Sequence, residues 1–112
     1  MINYHGRLFR LVSSEGTGDV SEDTVFRYSQ RGDILTADYS GGVIDYGQIL
    51  GLVDEDGAIE FRYQHITMKG ELMTGICKSK PEVLPNGKLR LHERWKWTSG
   101  DRSRGTSIIE EM

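Results

Sequence analysis

The stretch Ala58-Ile59-Glu60-Phe61-Arg62-Tyr63-Gln64-His65-Ile66 decides the fold class of this chain. Ile59, Phe61, Tyr63 and His65 occupy alternate positions, and charged or amide residues fill the positions between them. Successive side chains of a β-strand point to opposite faces, so this period of two predicts a strand with one buried and one solvated face. The preceding run 54–57, Asp-Glu-Asp-Gly, is a strong turn signal and predicts where the strand begins.

The same alternation recurs along the whole chain, between short turns rich in glycine or Asx residues, and no window holds a helical stripe. Interior glycines Gly47 and Gly51 predict bulges or sharp curvature. Pro81 and Pro85 fall between two predicted strands, as expected for a residue that cannot donate to a ladder. An acidic loop over Ser14–Asp23 is predicted to be solvated. The eight predicted strands are His5–Ser13, Thr24–Gln30, Ile34–Ser40, Val43–Val53, Ala58–Ile66, Glu71–Lys78, Lys88–Thr98 and Thr106–Glu111.

A chain of 112 residues fits a single domain, so residues 1–112 are expected to share one core. Eight strands with short connections predict an all-β, antiparallel up-and-down barrel. Such a barrel has no exposed edges, and its interior accommodates side chains or one small ligand. A strongly bent sandwich is the alternative, because it would show the same alternation.

Composition argues against several partners and sites. The net charge is −3, from 14 basic and 17 acidic residues, and the basic residues are scattered, so nucleic acid is not an expected partner. No apolar run approaches the ~20 residues of a membrane span, and the first residues lack a signal core. The single cysteine, Cys77, fits a reducing compartment, so a cytoplasmic location is expected. His5, His65 and His92 lack metal-ligand spacing, so neither a metal nor a cofactor is predicted.

The predicted inner face carries polar groups among its apolar residues. A carboxylate inside a small barrel is unfavourable unless it is paired or hydrogen-bonded, and its pKa would rise on desolvation. One hypothesis is therefore a pocket for a small, partly apolar ligand, with two tryptophans as a flat wall. In the alternative, the glutamate pairs with an arginine and the aromatics fill the core. The predicted ligand-binding residues are Tyr28, Tyr39, Tyr63, His65, Glu93, Trp95 and Trp97.

Two further hypotheses remain. The fourth strand is apolar on both faces, which one interior does not explain, so a homo-oligomer interface through Ile49 and Val53 would account for it. A small-barrel enzyme would use His65 and Glu93 as acid and base. The enzyme has the least support, because nothing in the sequence places its two groups side by side.

Three motifs carry a resemblance that covers nearly the full chain. They are Tyr63-Gln64-His65, the run 70–75 (Gly-Glu-Leu-Met-Thr-Gly) and the run 91–101 (Leu-His-Glu-Arg-Trp-Lys-Trp-Thr-Ser-Gly-Asp). With them the chain resembles a family of small bacterial proteins often labelled N-acetylglutamate synthase. That label implies an acyltransferase that holds acetyl-CoA pyrophosphate in a Gln/Arg-x-x-Gly-x-Gly/Ala loop. The nearest match, Gln48–Val53, lacks the last small residue and leads into a turn instead of a helix, which argues against this activity.

In architecture the chain resembles the calycin-like barrels, and its short length is closest to the avidin type. The run Gly6-Arg7-Leu8-Phe9 is similar to the Gly-x-Trp start of that group, without its tryptophan. This resemblance implies an up-and-down barrel that binds a small ligand in its interior.

Overall fold

The computed structural model describes residues 2–112, which form eight antiparallel strands and no helix. Each strand pairs with the next along the chain, and the last pairs with the first, so the sheet is closed. The predicted all-β up-and-down barrel is therefore confirmed, and the bent sandwich is excluded. The strands are β1 Leu8–Glu15, β2 Val25–Arg31, β3 Ile34–Gly41, β4 Ile44–Val53, β5 Ile59–Thr67, β6 Leu72–Val83, β7 Leu89–Trp97 and β8 Arg104–Glu111.

The two ends of the barrel are closed differently. At the end formed by the β4–β5 turn, which we call the base, Tyr4 is fully buried and its hydroxyl donates to the carbonyl of Gly57. The Tyr4 ring contacts Phe9 and Tyr28, with centroid distances of 6.4 and 6.0 Å. The opposite end, which we call the mouth, is covered by the β1–β2 connection. The β1–β2 ladder is only three residue pairs long and ends at Arg10, which leaves room for segment 16–24 there.

Alternation correctly predicts the inward faces of β5 and β7. Ile59, Phe61 and His65 are buried on β5, and Tyr63 is half-buried. On β7 the inward side chains are also those of the predicted face, Leu89, Leu91, Glu93, Trp95 and Trp97, with all but Trp95 buried.

The interior glycines of β4 do not mark bulges, contrary to one of the two predicted roles. Gly47 and Gly51 lie in regular register, and the irregularity of β4 falls between Ile44 and Tyr46 instead. Each interior glycine faces an aromatic residue on a neighbouring strand, and a Cβ at the glycine would overlap the side chain of that residue. The glycines therefore give inward-pointing rings room to lie against the wall. The pairs are Gly47 with Tyr39, Gly51 with Phe61, Gly75 with Tyr63 and Gly105 with Trp95.

The prediction that prolines stay outside the ladders is wrong for Pro81, which lies in β6 opposite Leu91. β6 extends to Val83, beyond the predicted end at Lys78. The β5–β6 ladder ends at the pair of Ile59 with Ser79, so no β5 residue pairs with position 81. Proline is tolerated where the strand has lost one neighbour, because no hydrogen bond is required on that side.

The predicted interface residues Ile49 and Val53 lie inside the barrel, 4 and 6% exposed. The outward apolar residues of β4 are Leu50 and Leu52, 62 and 60% exposed. The prediction failed because the inner positions of β4 alternate with glycine, so the outer face carries as much apolar side chain as the inner one.

Candidate ligand site at the barrel mouth

A cavity of about 60 Å³ lies inside the barrel below segment 16–24. Six of the seven predicted site residues line it, namely Tyr39, Tyr63, His65, Glu93, Trp95 and Trp97. The exception is Tyr28, which packs against Phe9 at the base with ring centroids 4.7 Å apart. Tyr28 points inward as predicted, but at a different height along the barrel.

The cavity is small for a ligand site. Pockets for drug-sized molecules are typically ~300–1,000 Å³, whereas one water occupies ~30 Å³ of the liquid. At about 60 Å³ the closed barrel admits a group of only a few heavy atoms. A larger molecule requires segment 16–24 to move, because Gly18, Asp19 and Val20 of that segment line the cavity.

Trp97 is the centre of an aromatic wall. The rings of Tyr63 and His65 both lie 5.6 Å from it between centroids, at interplanar angles of 67° and 77°. Trp95 lies 5.9 Å away at 63°. The indole nitrogen of Trp97 donates to the Thr17 carbonyl at 3.1 Å, which satisfies its polar group and ties segment 16–24 to the wall.

A buried hydrogen-bonded chain also joins the segment to the barrel. His65 Nε2 is 2.8 Å from Asp19 Oδ2, and His65 Nδ1 is 2.8 Å from the Tyr39 hydroxyl. An ionised carboxylate only accepts, so we assign the ring proton to Nε2 and let the Tyr39 hydroxyl donate to Nδ1. Burial raises the pKa of Tyr39, which keeps this donor protonated.

Sequence reasoning missed Asp19 because it placed residues 14–23 in a solvated loop. The structure shows that prediction to be wrong at the mouth, where Asp19 reaches the cavity. Irregular segments have no period that reports which side chains turn inward. The only hints were the small residues Gly16 and Gly18, which allow the segment to lie against Trp95.

Glu93 lies in a row of inward polar residues across three strands, between Ser79 on β6 and Ser107 on β8. It is 8% exposed, and the Ser107 hydroxyl donates to its Oε1 at 3.1 Å. Burial raises the pKa of Glu93 to about 7, against the opposing effects of the Ser107 and Ser79 hydroxyls on either side of it. Within residues 2–112, Glu93 Oε2 has no hydrogen-bond partner, and neither do the hydroxyls of Ser79 and Tyr28.

These contacts test two of the predicted alternatives, the pairing of Glu93 with an arginine and the enzyme that uses His65 and Glu93. In the part of the chain that the structure describes, Glu93 makes no ion pair with an arginine, so its predicted pairing is wrong. His65 and Glu93 both line the cavity, but His65 bonds to Asp19 and Tyr39, whereas Glu93 bonds to Ser107. Cys77 lines the same cavity, and burial raises the pKa of its thiol, which disfavours the reactive thiolate.

The described residues contain no group of three potential metal ligands arranged around an ion. Nor do residues 2–112 include a helix able to span a membrane.

A closed eight-stranded meander, sealed at its base and holding a polar and aromatic cavity at its mouth, defines a small calycin-type barrel. The family described as avidin-like protein matches residues 2–112, and the chain belongs to this family. No curated protein and no solved structure matches the chain.

Proposed function

We propose that this protein binds a small, partly apolar molecule in the cavity at the barrel mouth, with segment 16–24 closing over it. The observation that carries the proposal is the unpartnered Oε2 of Glu93, buried at the edge of an aromatic cavity. Binding sites for small molecules are mostly apolar with a few convergent polar groups, and this cavity has that composition. Membership of the avidin-like family supports the same function.

An unpartnered buried polar atom is unfavourable by about 1–3 kcal/mol, and more when it belongs to a charged group. A ligand that donates to Glu93 Oε2 removes this penalty, so this cavity favours a ligand with at least one hydrogen-bond donor. The single buried free cysteine, Cys77, supports a reducing compartment, and we propose that the protein acts in the cytoplasm.

Segment 16–24 is well suited to act as a mobile lid over the cavity. Over the cavity, three side-chain contacts hold it: Trp97 with Thr17, His65 with Asp19, and a 3.2 Å contact of Thr17 with Ser103. At its end the buried Thr24 hydroxyl donates to the Gly41 carbonyl at 3.1 Å, which anchors that end to β3. Segments held by few contacts open at low free-energy cost. Opening here exposes the aromatic wall without breaking the β-ladders.

Native mass spectrometry of protein purified from its own host tests this function. We expect a retained small molecule on the wild type. Leu11→Trp places an indole in the cavity and should abolish retention, because Leu11 is part of the lining. Val12→Trp is the matched control, since the neighbouring Val12 is 54% exposed, and it should retain the molecule. A wild type without a bound molecule, or equal retention by the two variants, would contradict the proposal.

A second candidate function is self-association through the outer face of β4. Tyr46, Leu50 and Leu52 are all at least half exposed on this face. Leu50 lies beside Arg62 and Leu52 beside Glu60 on β5, so apolar and oppositely charged groups alternate across the patch. A two-fold axis through such a patch brings the arginine of one copy towards the glutamate of the other, which suits an isologous dimer.

Sedimentation velocity tests this assembly. We expect the wild type to sediment as a dimer or larger oligomer, and Leu50→Glu to sediment as a monomer. Val12→Glu introduces the same charge at an exposed apolar residue of β1 and should leave assembly unchanged. A wild type that is monomeric over the whole accessible concentration range would exclude this interface.

A further inference from the structure

The charge of the cavity restricts what it can hold. Two carboxylates, those of Asp19 and Glu93, contribute to its lining, and no lysine or arginine occurs among the described residues that line it. Asp19 Oδ2 bonds to His65, whereas the buried Glu93 Oε2 has no hydrogen-bond partner among the described residues. An anionic ligand would find no counter-charge from a lysine or arginine here, whereas a cation or a strong hydrogen-bond donor would be attracted to the carboxylates.

The aromatic rings favour a cation over a neutral donor. The face of an aromatic ring carries negative electrostatic potential, and a cation within ~6 Å of the ring centroid is attracted to it. Tyr63, Trp95 and Trp97 all line the cavity, and Tyr63 and Trp95 each meet Trp97 at a steep angle, so the ring planes differ in direction. Several ring planes combined with one carboxylate form the type of enclosure that recognises alkylammonium groups.

Size adds a further restriction. The cavity of about 60 Å³ accommodates an ammonium group with few substituents. Any longer tail has to leave through the mouth beside segment 16–24, because Tyr28, Phe9 and Tyr4 close the base of the barrel.

We infer that the ligand is a small organic ammonium ion, or the ammonium head of a larger molecule, held by the Glu93 carboxylate against Tyr63, Trp95 and Trp97. This inference rests on the proposed function and names its ligand class. The cation takes the place of the missing partner of Oε2, and the aromatic rings replace part of its hydration shell.

The titration of Glu93 agrees with this assignment. Burial raises its pKa to about 7, so much of the carboxyl is protonated near neutral pH. The titratable groups that interact with Glu93 across the barrel interior are Cys77 on β6, Tyr63 on β5, Tyr28 on β2 and Tyr4 at the base, and burial raises the pKa of each, which keeps them neutral. Since none of these groups is positive, a bound cation would supply the counter-charge that ionised Glu93 lacks.

Intrinsic fluorescence gives a direct assay, because Trp95 and Trp97 are the only tryptophans of the chain and both line the cavity. Methylammonium chloride is titrated into the protein while tryptophan fluorescence is recorded, and a parallel titration with sodium chloride controls for ionic strength. Acetamide serves as the neutral donor of similar size. We expect methylammonium to cause a saturable change in tryptophan fluorescence, and acetamide to bind with an affinity at least about tenfold weaker.

Two isosteric variants complete the experiment. Glu93→Gln removes the charge in the cavity and should weaken methylammonium binding by about tenfold or more. Glu55→Gln removes one charge from the exposed β4–β5 turn and should bind like the wild type. The comparison of methylammonium with acetamide on the wild type needs no variant, so it is valid even if Glu93→Gln folds poorly.

The inference is overturned if acetamide binds the wild type as tightly as methylammonium, or if Glu93→Gln keeps the wild-type affinity. If methylammonium fails while mass spectrometry still shows a molecule whose retention Leu11→Trp abolishes, ligand binding stands and the ammonium class is wrong. If both experiments fail, the proposed function is wrong as well.

Discussion

Replacing Glu93 by glutamine should change how the free energy of unfolding depends on pH. Burial raises the pKa of this carboxyl from 4.5 to about 7, so the folded protein binds the proton more tightly than the unfolded chain does. The contribution of Glu93 to stability is therefore fully present below the unfolded pKa and is lost as pH rises through about 7. Above that pH the folded barrel holds a buried, ionised carboxylate.

The magnitude follows from the same two values. At ~1.4 kcal/mol for each pH unit, the rise of the pKa from 4.5 to about 7 corresponds to roughly 3 kcal/mol. Glutamine keeps the shape of the side chain but does not ionise. The stability of Glu93→Gln relative to the wild type should thus increase by about 3 kcal/mol between about pH 4 and about pH 9. Any cost of burying the amide is independent of pH and cancels from this change.

Urea unfolding followed by tryptophan fluorescence at a series of pH values measures the effect. The difference between the two proteins isolates Glu93, because every other titrating group is common to both. Glu55→Gln controls for the loss of one negative charge at an exposed position. A stability difference that stays constant within about 0.5 kcal/mol over this range, or that changes with the opposite sign, would refute the burial argument.

Two further substitutions test the mouth and the wall of the barrel. Asp19→Ala leaves His65 Nε2 without its partner, so we expect a loss of about 1–3 kcal/mol in urea unfolding, together with faster amide hydrogen exchange confined to segment 16–24. Unchanged exchange there would show that the His65–Asp19 contact does not hold the segment. Gly47→Ala places a methyl group where the Tyr39 ring lies, and we expect about 1–3 kcal/mol of destabilisation from overpacking. A thermal melting temperature equal to the wild type would exclude the proposed close contact.

The fold was predictable from sequence because the period of two is a local property of each strand. β5 and β7 show it clearly, and their inward faces were predicted correctly. The period reports which face of the sheet a side chain occupies, but not its height along the barrel axis. Tyr28 therefore joined the predicted site although it lies at the base with Phe9, below the cavity.

Other parts of the site were beyond this kind of prediction for two physical reasons. Asp19 lies in an irregular segment, where the direction of a side chain depends on turns and on contacts made elsewhere in the fold. On β4, glycine occupies alternate inner positions, so hydrophobicity no longer distinguishes the inner from the outer face. Ile49 and Val53 were assigned to an interface for that reason, whereas Leu50 and Leu52 are the exposed residues.

The same glycines connect the fold to the site. An eight-stranded barrel has an interior just wide enough for its own side chains, so a cavity requires that some inward positions contribute almost none. Gly75 and Gly105 are such positions, and the rings of Tyr63 and Trp95 lie over them against the wall. The rings thereby form the aromatic side of the cavity that Glu93 also lines. An inward glycine directly opposite an aromatic residue on the next strand is therefore a sequence pattern that indicates a cavity wall, once the register of the strands is known.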